Sequence, residues 1–363
     1  MIKKIFITAG GTGGHIFPAQ SVGNLLAQDK NCEVTLLTDD RGKALKGFDS
    51  NIKVIQLPLC RSRKGLIKKL IFFASLILSC GIAFFILLRH RPKVVVGFGG
   101  FPSLPGLLSA VVLKRIIGCK TIIHEQNAYL GKVNRKLQKF LDKIIISFPK
   151  VEQLTENRKS KFIGPLVRHG FTNIGKKNYT APTKTGPINI LVTGGSQGAY
   201  IFSACVPGAC QLLPKEITKR IHITHQCRPQ DVEETVNAYD NLGIKNNVVP
   251  FINDMQKEME KAHFLICRAG ASTISETIQA HRPAILVPYP YATDDHQRYN
   301  AKILVDNKAG WMILNKELTA ENLSKTVKDL VLSDKVLEDA EKNLKVLSMD
   351  NAAQKFAEII KNI

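Results

Sequence analysis

Short apolar runs alternate with amphipathic stretches along most of the chain, a pattern typical of α/β proteins. Strands that alternate with helices form parallel sheets with helices on both faces. The pattern therefore predicts an α/β fold with doubly wound sheets. Strands are predicted directly before Gly10 and at Glu33–Thr38, Lys93–Phe98, Lys120–Ile123, Ile144–Ser147, Ile190–Thr193, Ile221–His225, Val248–Phe251, Phe264–Cys267 and Ala284–Pro288.

A glycine-rich stretch occurs twice. Ile5–Ala19 (IFITAGGTGGHIFPA) aligns without a gap on Ile190–Ala204 (ILVTGGSQGAYIFSA). Each copy predicts a buried strand, a glycine turn and the start of a helix, where backbone N–H groups suit a phosphate. One such turn often serves only chain geometry, whereas two copies predict two similar domains that face one ligand. The identical pairs are Ile5/Ile190, Thr8/Thr193, Gly10/Gly195, Gly13/Gly198, Ile16/Ile201, Phe17/Phe202 and Ala19/Ala204.

The two copies differ in the side chains they carry. Ser196 and Gln197 add donors to the second turn, which is therefore the better candidate for a diphosphate cradle. This turn lacks the Lys-Ser/Thr ending of a P-loop. In the first copy His15 stands where the second has Tyr200. His15 is a candidate base because histidine titrates near neutral pH; the alternatives are that it packs the turn or donates to a phosphate.

Polar residues follow three further predicted strands. Asn127, in HEQN, either binds a ligand or caps the following helix. Glu276, in RAGASTISE, either accepts the hydroxyls of a ribose or forms a capping box with Thr273. Asp294 or Asp295 either binds a ligand or caps a helix, and no complete set of metal ligands is recognisable around them. Side chains that suit sugar hydroxyls in this last segment are Asp294, Asp295, His296, Gln297 and Asn300.

The apolar segment Leu70–Leu88 contains no charged residue and has basic residues on both sides. It barely reaches the roughly 20 residues that cross a bilayer, and basic flanks at both ends do not favour a span. A span would also place the two glycine turns on opposite sides of the membrane. We therefore predict a buried or membrane-touching helix of an α/β domain, and the surplus of apolar residues beside basic ones favours contact with a membrane surface. The formal net charge of +21 favours anionic partners such as this surface, and no nucleic-acid motif is recognisable.

Two domains are predicted for the 363 residues. The segment Thr172–Pro187, rich in glycine, lysine and threonine, is the best candidate for a linker. The N-terminal domain is predicted at 1–168, joined by a C-terminal helix at about 345–363, and the C-terminal domain at 169–344. The eight cysteines show no metal-binding spacing and suit a reducing compartment.

One alternative is an NAD-dependent oxidoreductase. Asp39 and Asp40 end the second predicted strand, where a dinucleotide site places an acidic residue on a ribose. This alternative does not explain the second glycine turn or the polar segment at 291–301.

The motifs GGTGGHIFPA, GFGGFPS, HEQN, GPLVR, GGSQGA, RAGASTISE and DDHQRYNA occur in this order between Ile5 and Ala301. Together they resemble the MurG family of N-acetylglucosamine transferases in peptidoglycan synthesis. Ala128 departs from the glycine that the family usually has after HEQN. The resemblance implies the GT-B fold, two Rossmann-like doubly wound domains with an interdomain cleft, in a peripheral enzyme on the cytoplasmic face of the inner membrane.

The resemblance also implies roles for individual residues. Thr12, Gly13 and Gly14 would face the donor and the acceptor diphosphate. Asn127 would contact the donor sugar, and Arg168 and Ser196 would hold the donor diphosphate. Ile252 would lie at the uracil, Glu276 on the ribose diol and Gln297 on hydroxyls of the N-acetylglucosamine. Further contacts to the sugar and ribose would come from Ala271, Ser272 and Thr273.

The implied reaction is one inverting displacement. The C4 hydroxyl of the muramyl sugar of lipid I attacks the anomeric carbon of UDP-N-acetylglucosamine, with His15 as candidate base and without a metal or other cofactor. The implied partners are these two substrates and an anionic membrane surface. The alternatives are another UDP-sugar enzyme of this architecture (a different lipid glycosyltransferase or a UDP-N-acetylglucosamine epimerase), the oxidoreductase, and a non-catalytic basic binding protein.

Overall fold

The computed structural model describes residues 2–11, 13–40, 47–60, 65–195, 198–333 and 335–363, without the side chain of His169. The chain divides into two compact units. The first unit is Met1–Arg168 together with Met349–Ile363, and the second is His169–Ser348. Each unit contains one parallel sheet flanked by helices, as the alternation of strands and helices predicts.

The first sheet has seven strands in the order β3-β2-β1-β4-β5-β6-β7. Neighbouring strands pair in parallel throughout. Its strands are β1 (Lys3–Thr8), β2 (Cys32–Thr38), β3 (Lys53–Gln56), β4 (Val94–Gly97), β5 (Lys120–Glu125), β6 (Lys143–Ile146) and β7 (Ser160–Phe162).

The second sheet has six strands in the order β10-β9-β8-β11-β12-β13, again all parallel. Its strands are β8 (Ile188–Thr193), β9 (Ile221–Gln226), β10 (Lys245–Val249), β11 (Phe264–Cys267), β12 (Ala284–Leu286) and β13 (Gly310–Met312).

Fourteen α-helices are found in the part of the chain that the structure describes, and they are numbered here in chain order. In the first unit they are α1 (Gly13–Ala27), α2 (Leu66–His90), α3 (Leu104–Ile117), α4 (Lys132–Leu137) and α14 (Ala352–Lys361). In the second unit they are α5 (His169–Gly175), α6 (Tyr200–Gln211), α7 (Lys215–Thr218), α8 (Val232–Asp240), α9 (Met255–Lys261), α10 (Ala271–Ala280), α11 (His296–Asp306), α12 (Ala320–Leu332) and α13 (Val336–Leu347).

The first sheet is covered on both faces because successive side chains of a strand point in opposite directions. Ile5 and Ile7 of β1 are buried in a core formed with α1 and α14. Phe6, between them, is buried in a second core formed with α2 and α3. The near-continuous apolar runs of the sequence thus arise from strands that are buried on both sides.

The duplicated stretch occupies equivalent places in the two sheets. β1 lies between β2 and β4, and β8 lies between β9 and β11. Strand order reverses at both strands, and ligands of doubly wound sheets bind outside the carboxyl ends of strands at such a reversal. The glycine turns that follow β1 and β8 are therefore at the favoured position for a ligand in each unit.

The predicted linker Thr172–Pro187 is wrong in its first part. Residues 169–175 form α5, and Phe171 and Ile174 are buried in the second unit. Tyr179 donates its hydroxyl hydrogen to the His263 carbonyl at 2.9 Å. Phe171 and Ile174 are three positions apart, which is a helical spacing. The glycines and lysines around them favoured a linker instead.

Candidate functional site

The first glycine turn is held from beneath by the end of β2. The Gly11 N–H donates to the Asp39 carboxylate at 3.2 Å, and Gly11 has a φ of +84°. A Cβ at Gly10 would lie 2.6 Å from the Cβ of Pro102, so this position has no room for a side chain. Asp39 is only 2% exposed. It therefore supports the turn, which argues against a ribose contact by Asp39.

His15 lies against the loop that follows β4. Its Nδ1 is 2.9 Å from the Phe98 carbonyl oxygen. Gly99 and Gly100 have φ values of +80° and +72°, and Cβ atoms there would lie within 3.3 Å and 3.1 Å of the imidazole ring, so both positions favour glycine. A carbonyl only accepts a hydrogen, so this contact favours the neutral tautomer that has its proton on Nδ1 and its basic lone pair on Nε2. This is the tautomer that a base acting through Nε2 requires.

Asn127 is positioned by a buried carboxylate. Glu125, 1% exposed, accepts hydrogen bonds at 3.0 Å from both the backbone N–H and the side-chain amide of Asn127. Its other oxygen accepts the Gly131 N–H at 2.8 Å and the Asn134 amide at 2.9 Å. Four donors therefore compensate its burial.

The alternative that Asn127 caps a helix is wrong, because α4 begins only at Lys132 and its N-cap is Gly131. The chain between them is extended: Tyr129 forms a bridge with Glu152, and the Leu130 N–H donates to the Glu152 carbonyl at 2.9 Å.

Arg168 is anchored on the helix that the first turn opens. Its guanidinium carbon lies 4.8 Å from the centre of the Phe17 ring, and Ser21 Oγ donates to the Val167 carbonyl at 3.1 Å. A Cβ at Gly13 would lie 2.6 Å from the same Phe17 ring. Gly13 and Arg168 thus both lie against the Phe17 ring. Thr12 lies outside the described residues.

The second glycine turn is tightly constrained on one side and open on the other. A Cβ at Gly198 (φ +68°) would lie 2.7 Å from the backbone carbon of Cys227. A Cβ at Gly195 (φ +85°) would have no atom within 4 Å. The backbone at Gly195 can therefore be approached closely, as a phosphate cradle requires. Ser196 and Gln197 lie outside the described residues, so their role as donors stays a prediction.

The capping box of Glu276 and Thr273 is wrong. Helix α10 begins at Ala271 with Gly270 as N-cap and no side-chain capping bond. A capping box needs the threonine before the helix, whereas Thr273 lies inside its first turn. Ala271 is buried, and Ser272, Thr273 and Glu276 are half-buried.

The segment after β12 holds its polar side chains in different ways. Gln297 accepts the Tyr289 N–H at 2.9 Å. Asn300 is buried and donates to the Ala269 carbonyl at 3.1 Å, which ties α11 to the start of α10. Asp295 occupies the N-cap position of α11 but makes no side-chain capping bond, so the capping alternative is wrong there. Ile252, after β10, is 7% exposed.

Arg268 is a structural residue that the sequence reasoning missed. Its Nη1 donates to the carbonyls of Val287 and Pro288 at 3.1 and 3.2 Å and to Asn315 Oδ1 at 2.8 Å. Its guanidinium carbon lies 5.2 Å from the ring centre of Phe202, in the helix after the second glycine turn. Burial lowers the pKa of Arg268. The only feature of the sequence that indicates a role for Arg268 is its position directly after β11.

The predicted site residues thus form two groups. In the first unit, Gly13, Gly14, His15, Asn127 and Arg168 follow the carboxyl ends of strands or lie on α1. In the second unit the group follows β10, β11 and β12 and consists of Ile252, Ala271, Ser272, Thr273, Glu276 and Gln297. Among the described residues, no group of three or more His, Cys, Asp or Glu side chains is arranged to hold a metal ion.

Comparisons with known proteins identify both units. Residues 5–146 match the glycosyltransferase family 28 N-terminal domain, and residues 189–363 match the glycosyltransferase family 28 C-terminal domain. The UDP-N-acetylglucosamine–N-acetylmuramyl-(pentapeptide) pyrophosphoryl-undecaprenol N-acetylglucosamine transferase of Paramagnetospirillum magneticum is 37% identical over 98% of this chain and 95% of its own length. The protein of that name from Rickettsia canadensis is 38% identical over 94% of this chain and 95% of its own.

Solved structures agree. Acinetobacter baumannii MurG is 30% identical, with a TM-score of 0.80 over 99% of this chain and 100% of its own. A UDP-N-acetylglucosamine 2-epimerase has a TM-score of 0.66 over 99% of this chain and 96% of its own, but at 12% identity this likeness shows only the shared fold.

Proposed function

We propose that this chain, which belongs to glycosyltransferase family 28 and within it to the MurG group, transfers N-acetylglucosamine from UDP-N-acetylglucosamine to the C4 hydroxyl of the muramyl sugar of lipid I. The products are lipid II and UDP. The observation that carries this proposal is the placement of His15, with Nδ1 on the Phe98 carbonyl, at a glycine turn of a chain that matches these transferases over nearly its whole length.

In the proposed mechanism His15 Nε2 takes the proton of the C4 hydroxyl. The C4 oxygen attacks the anomeric carbon, the bond from that carbon to the UDP oxygen breaks, and UDP leaves with the electron pair. Attack from the face opposite UDP inverts the configuration. A base of this kind contributes roughly 10²- to 10⁴-fold to the rate.

Charge that develops on UDP needs fixed donors. The second glycine turn supplies backbone N–H groups beside the open space at Gly195, and Ser196 and Arg168 are proposed to complete the diphosphate site. Glu276 is proposed to accept the ribose hydroxyls. Asn127 and Gln297 are proposed to bind the transferred sugar, and Ile252 the uracil.

The decisive experiment is the transfer of labelled N-acetylglucosamine from UDP-N-acetylglucosamine to a lipid I analogue. A lipid-linked disaccharide is expected. A chain that instead converts UDP-N-acetylglucosamine to its 2-epimer without acceptor, or makes no lipid-linked product, would refute the proposal.

We also propose that the enzyme is a peripheral protein of the cytoplasmic membrane face. One described helix, α2, is long and apolar enough to cross a membrane. However, Phe72, Ser75, Ser79, Ala83 and Leu87 form a buried stripe along it. Two hydrogen bonds tie α2 to its unit: the Cys60 N–H donates to Ser75 Oγ at 3.1 Å, and Ser109 Oγ donates to the Cys80 carbonyl at 3.0 Å.

The opposite side of α2 and the adjacent side of α3 form an exposed apolar face, with Lys68, Lys69 and Arg115 exposed near it. Such a face binds anionic lipid by inserting apolar side chains and attracting headgroups. A helix that remains packed on its unit can lie in the interface but cannot span it. The apolar face consists of Leu66, Ile67, Leu70, Ile71, Phe73, Ile77, Leu78, Phe85, Leu108, Val112 and Ile116.

A further inference from the structure

We propose that Gln126 is a positioning residue that fixes the tautomer of His15. This inference rests on the proposed function only for the catalytic consequence, since the tautomer itself can be measured without turnover. Gln126 is 4% exposed and follows β5 directly. The amide nitrogen of Gln126 lies 2.5 Å from His15 Nδ1.

Two groups therefore meet at one ring nitrogen. The Phe98 carbonyl, 2.9 Å away, requires a hydrogen on Nδ1, whereas an amide N–H would require a lone pair there. The backbone carbonyl is fixed, but a glutamine amide exchanges its oxygen and nitrogen by rotation. Within the described structure Gln126 Oε1 is buried without a hydrogen-bond partner. Rotation of the amide removes the conflict and gives Oε1 the Nδ1–H as a partner.

With Oε1 turned inward, two oxygens share the Nδ1–H of His15. This arrangement excludes the other tautomer and leaves the lone pair on Nε2. It also stabilises the imidazolium that forms when Nε2 takes a proton, because both acceptors then face a charged donor. The ring lies close to Gly99 and Gly100, where added Cβ atoms would come within 3.3 and 3.1 Å of it.

The other titratable groups beside this site do not replace Gln126. His124, on β5, is fully buried, and desolvation together with His15 lowers its pKa to about 3, so it is neutral. The carboxylate of Glu125 is occupied by Asn127, Gly131 and Asn134. Asp39, at the end of β2, accepts the Gly11 N–H.

The test is ¹⁵N NMR of the histidine side chains in the full chain, with His15 assigned by its absence from the spectrum of His15→Ala. In the wild type, Nε2 of neutral His15 is expected to be unprotonated. In Gln126→Met, which keeps length but removes the acceptor, a mixture of tautomers is expected. Gln138→Met is the matched control: Gln138 is also 4% exposed and hydrogen-bonded, but it bonds to Arg135, Gln153 and Thr155.

Kinetics supply the second readout. Gln126→Met should lower kcat by about 10- to 100-fold with little change in KM, a loss below the whole contribution of a general base. Gln126→Glu keeps an acceptor at Nδ1 and should restore the tautomer and most of kcat. If Gln126→Met does not fold, Gln126→Glu alone tests the proposal. A mixture of His15 tautomers in Gln126→Glu would overturn it.

Gln126→Met that keeps the wild-type tautomer overturns the proposal whatever its activity. A changed tautomer with unchanged kcat supports the positioning role of Gln126 but refutes His15 as the base. The same refutation of the base would follow if His15→Ala kept near-normal turnover at saturating substrates. The two hypotheses thus fail in different ways.

Discussion

Two glycines of the second turn, Gly195 and Gly198, differ in their surroundings and allow a quantitative test of the diphosphate cradle. Both adopt positive φ, +85° at Gly195 and +68° at Gly198. An alanine in this region costs about 1–2 kcal/mol in backbone strain. At Gly198 the new Cβ would also lie 2.7 Å from the backbone of Cys227, and such overpacking adds about 1–3 kcal/mol. We therefore expect Gly198→Ala to lose about 2–5 kcal/mol of unfolding free energy and Gly195→Ala about 1–2 kcal/mol.

We expect UDP affinity to fall more in Gly195→Ala than in Gly198→Ala, which is the reverse of the order expected for the loss of stability. The Cβ of Gly195→Ala projects into open space, where the diphosphate is proposed to meet the backbone. Loss of one hydrogen bond to a charged group costs about 1.5–3 kcal/mol, which corresponds to about 10- to 150-fold in affinity. Gly195→Ala should thus be folded and bind UDP poorly, a combination that a purely structural glycine would not give.

Trp311 makes the stability measurement specific. It is the single tryptophan of the chain and packs against the core of the second unit. Urea unfolding followed by its fluorescence reports on the unit that contains the turn, and calorimetric titration with UDP measures affinity. Normal UDP binding by Gly195→Ala, or a stability loss as large as that of Gly198→Ala, would refute the reasoning.

Three further predictions concern other parts of the molecule. Glu276→Gln should raise the KM for UDP-N-acetylglucosamine with little change in kcat, because a ribose contact serves ground state and transition state alike; an unchanged KM would exclude the contact. Ile77→Glu, on the apolar face, should reduce sedimentation with anionic vesicles while soluble-substrate turnover stays normal, with exposed Val346→Glu in the second unit as control; equal binding of both variants would argue against this face. Desolvation lowers the pKa of buried His225 to about 4, so the unfolded state takes up a proton at a higher pH than the folded state does. The free energy of unfolding should therefore fall as the pH drops from about 6.5 toward 4. His225→Gln should show a weaker decline over this range.

Local chemistry made much of this fold predictable. The glycine turns were recognisable because positive φ and close backbone contacts leave few alternatives to glycine, and the central strands because burial on both faces demands apolar runs. The edge strands β3, β7 and β13 were missed. β3 (KVIQ) and β7 (SKF) are short and mostly exposed, so they lack that apolar signal.

The structure rules out two capping alternatives that local sequence patterns had left open. Asn127 and Thr273 are both residues that cap helices, and the sequence offered each a helix nearby. Whether Asn127 caps α4 depends on Glu125, which binds its amide, and on Glu152, which keeps the chain extended through Leu130. Partners such as Glu152 are brought together by the tertiary fold, and a local motif contains no information about them.

The placement of α14 has a consequence for synthesis of the protein. This helix is made after the whole second unit, yet Phe356 packs 5.7 Å from Phe98 and 5.8 Å from His124, measured between ring centres. Lys3, in the first strand, donates to the carbonyl of Lys361 at 2.6 Å. The part of the first sheet that α14 covers therefore stays exposed during synthesis until residues 352–361 have emerged from the ribosome, although α1 already packs on the same face. During that interval the second unit can fold first, and the exposed apolar surface is a natural target for chaperones.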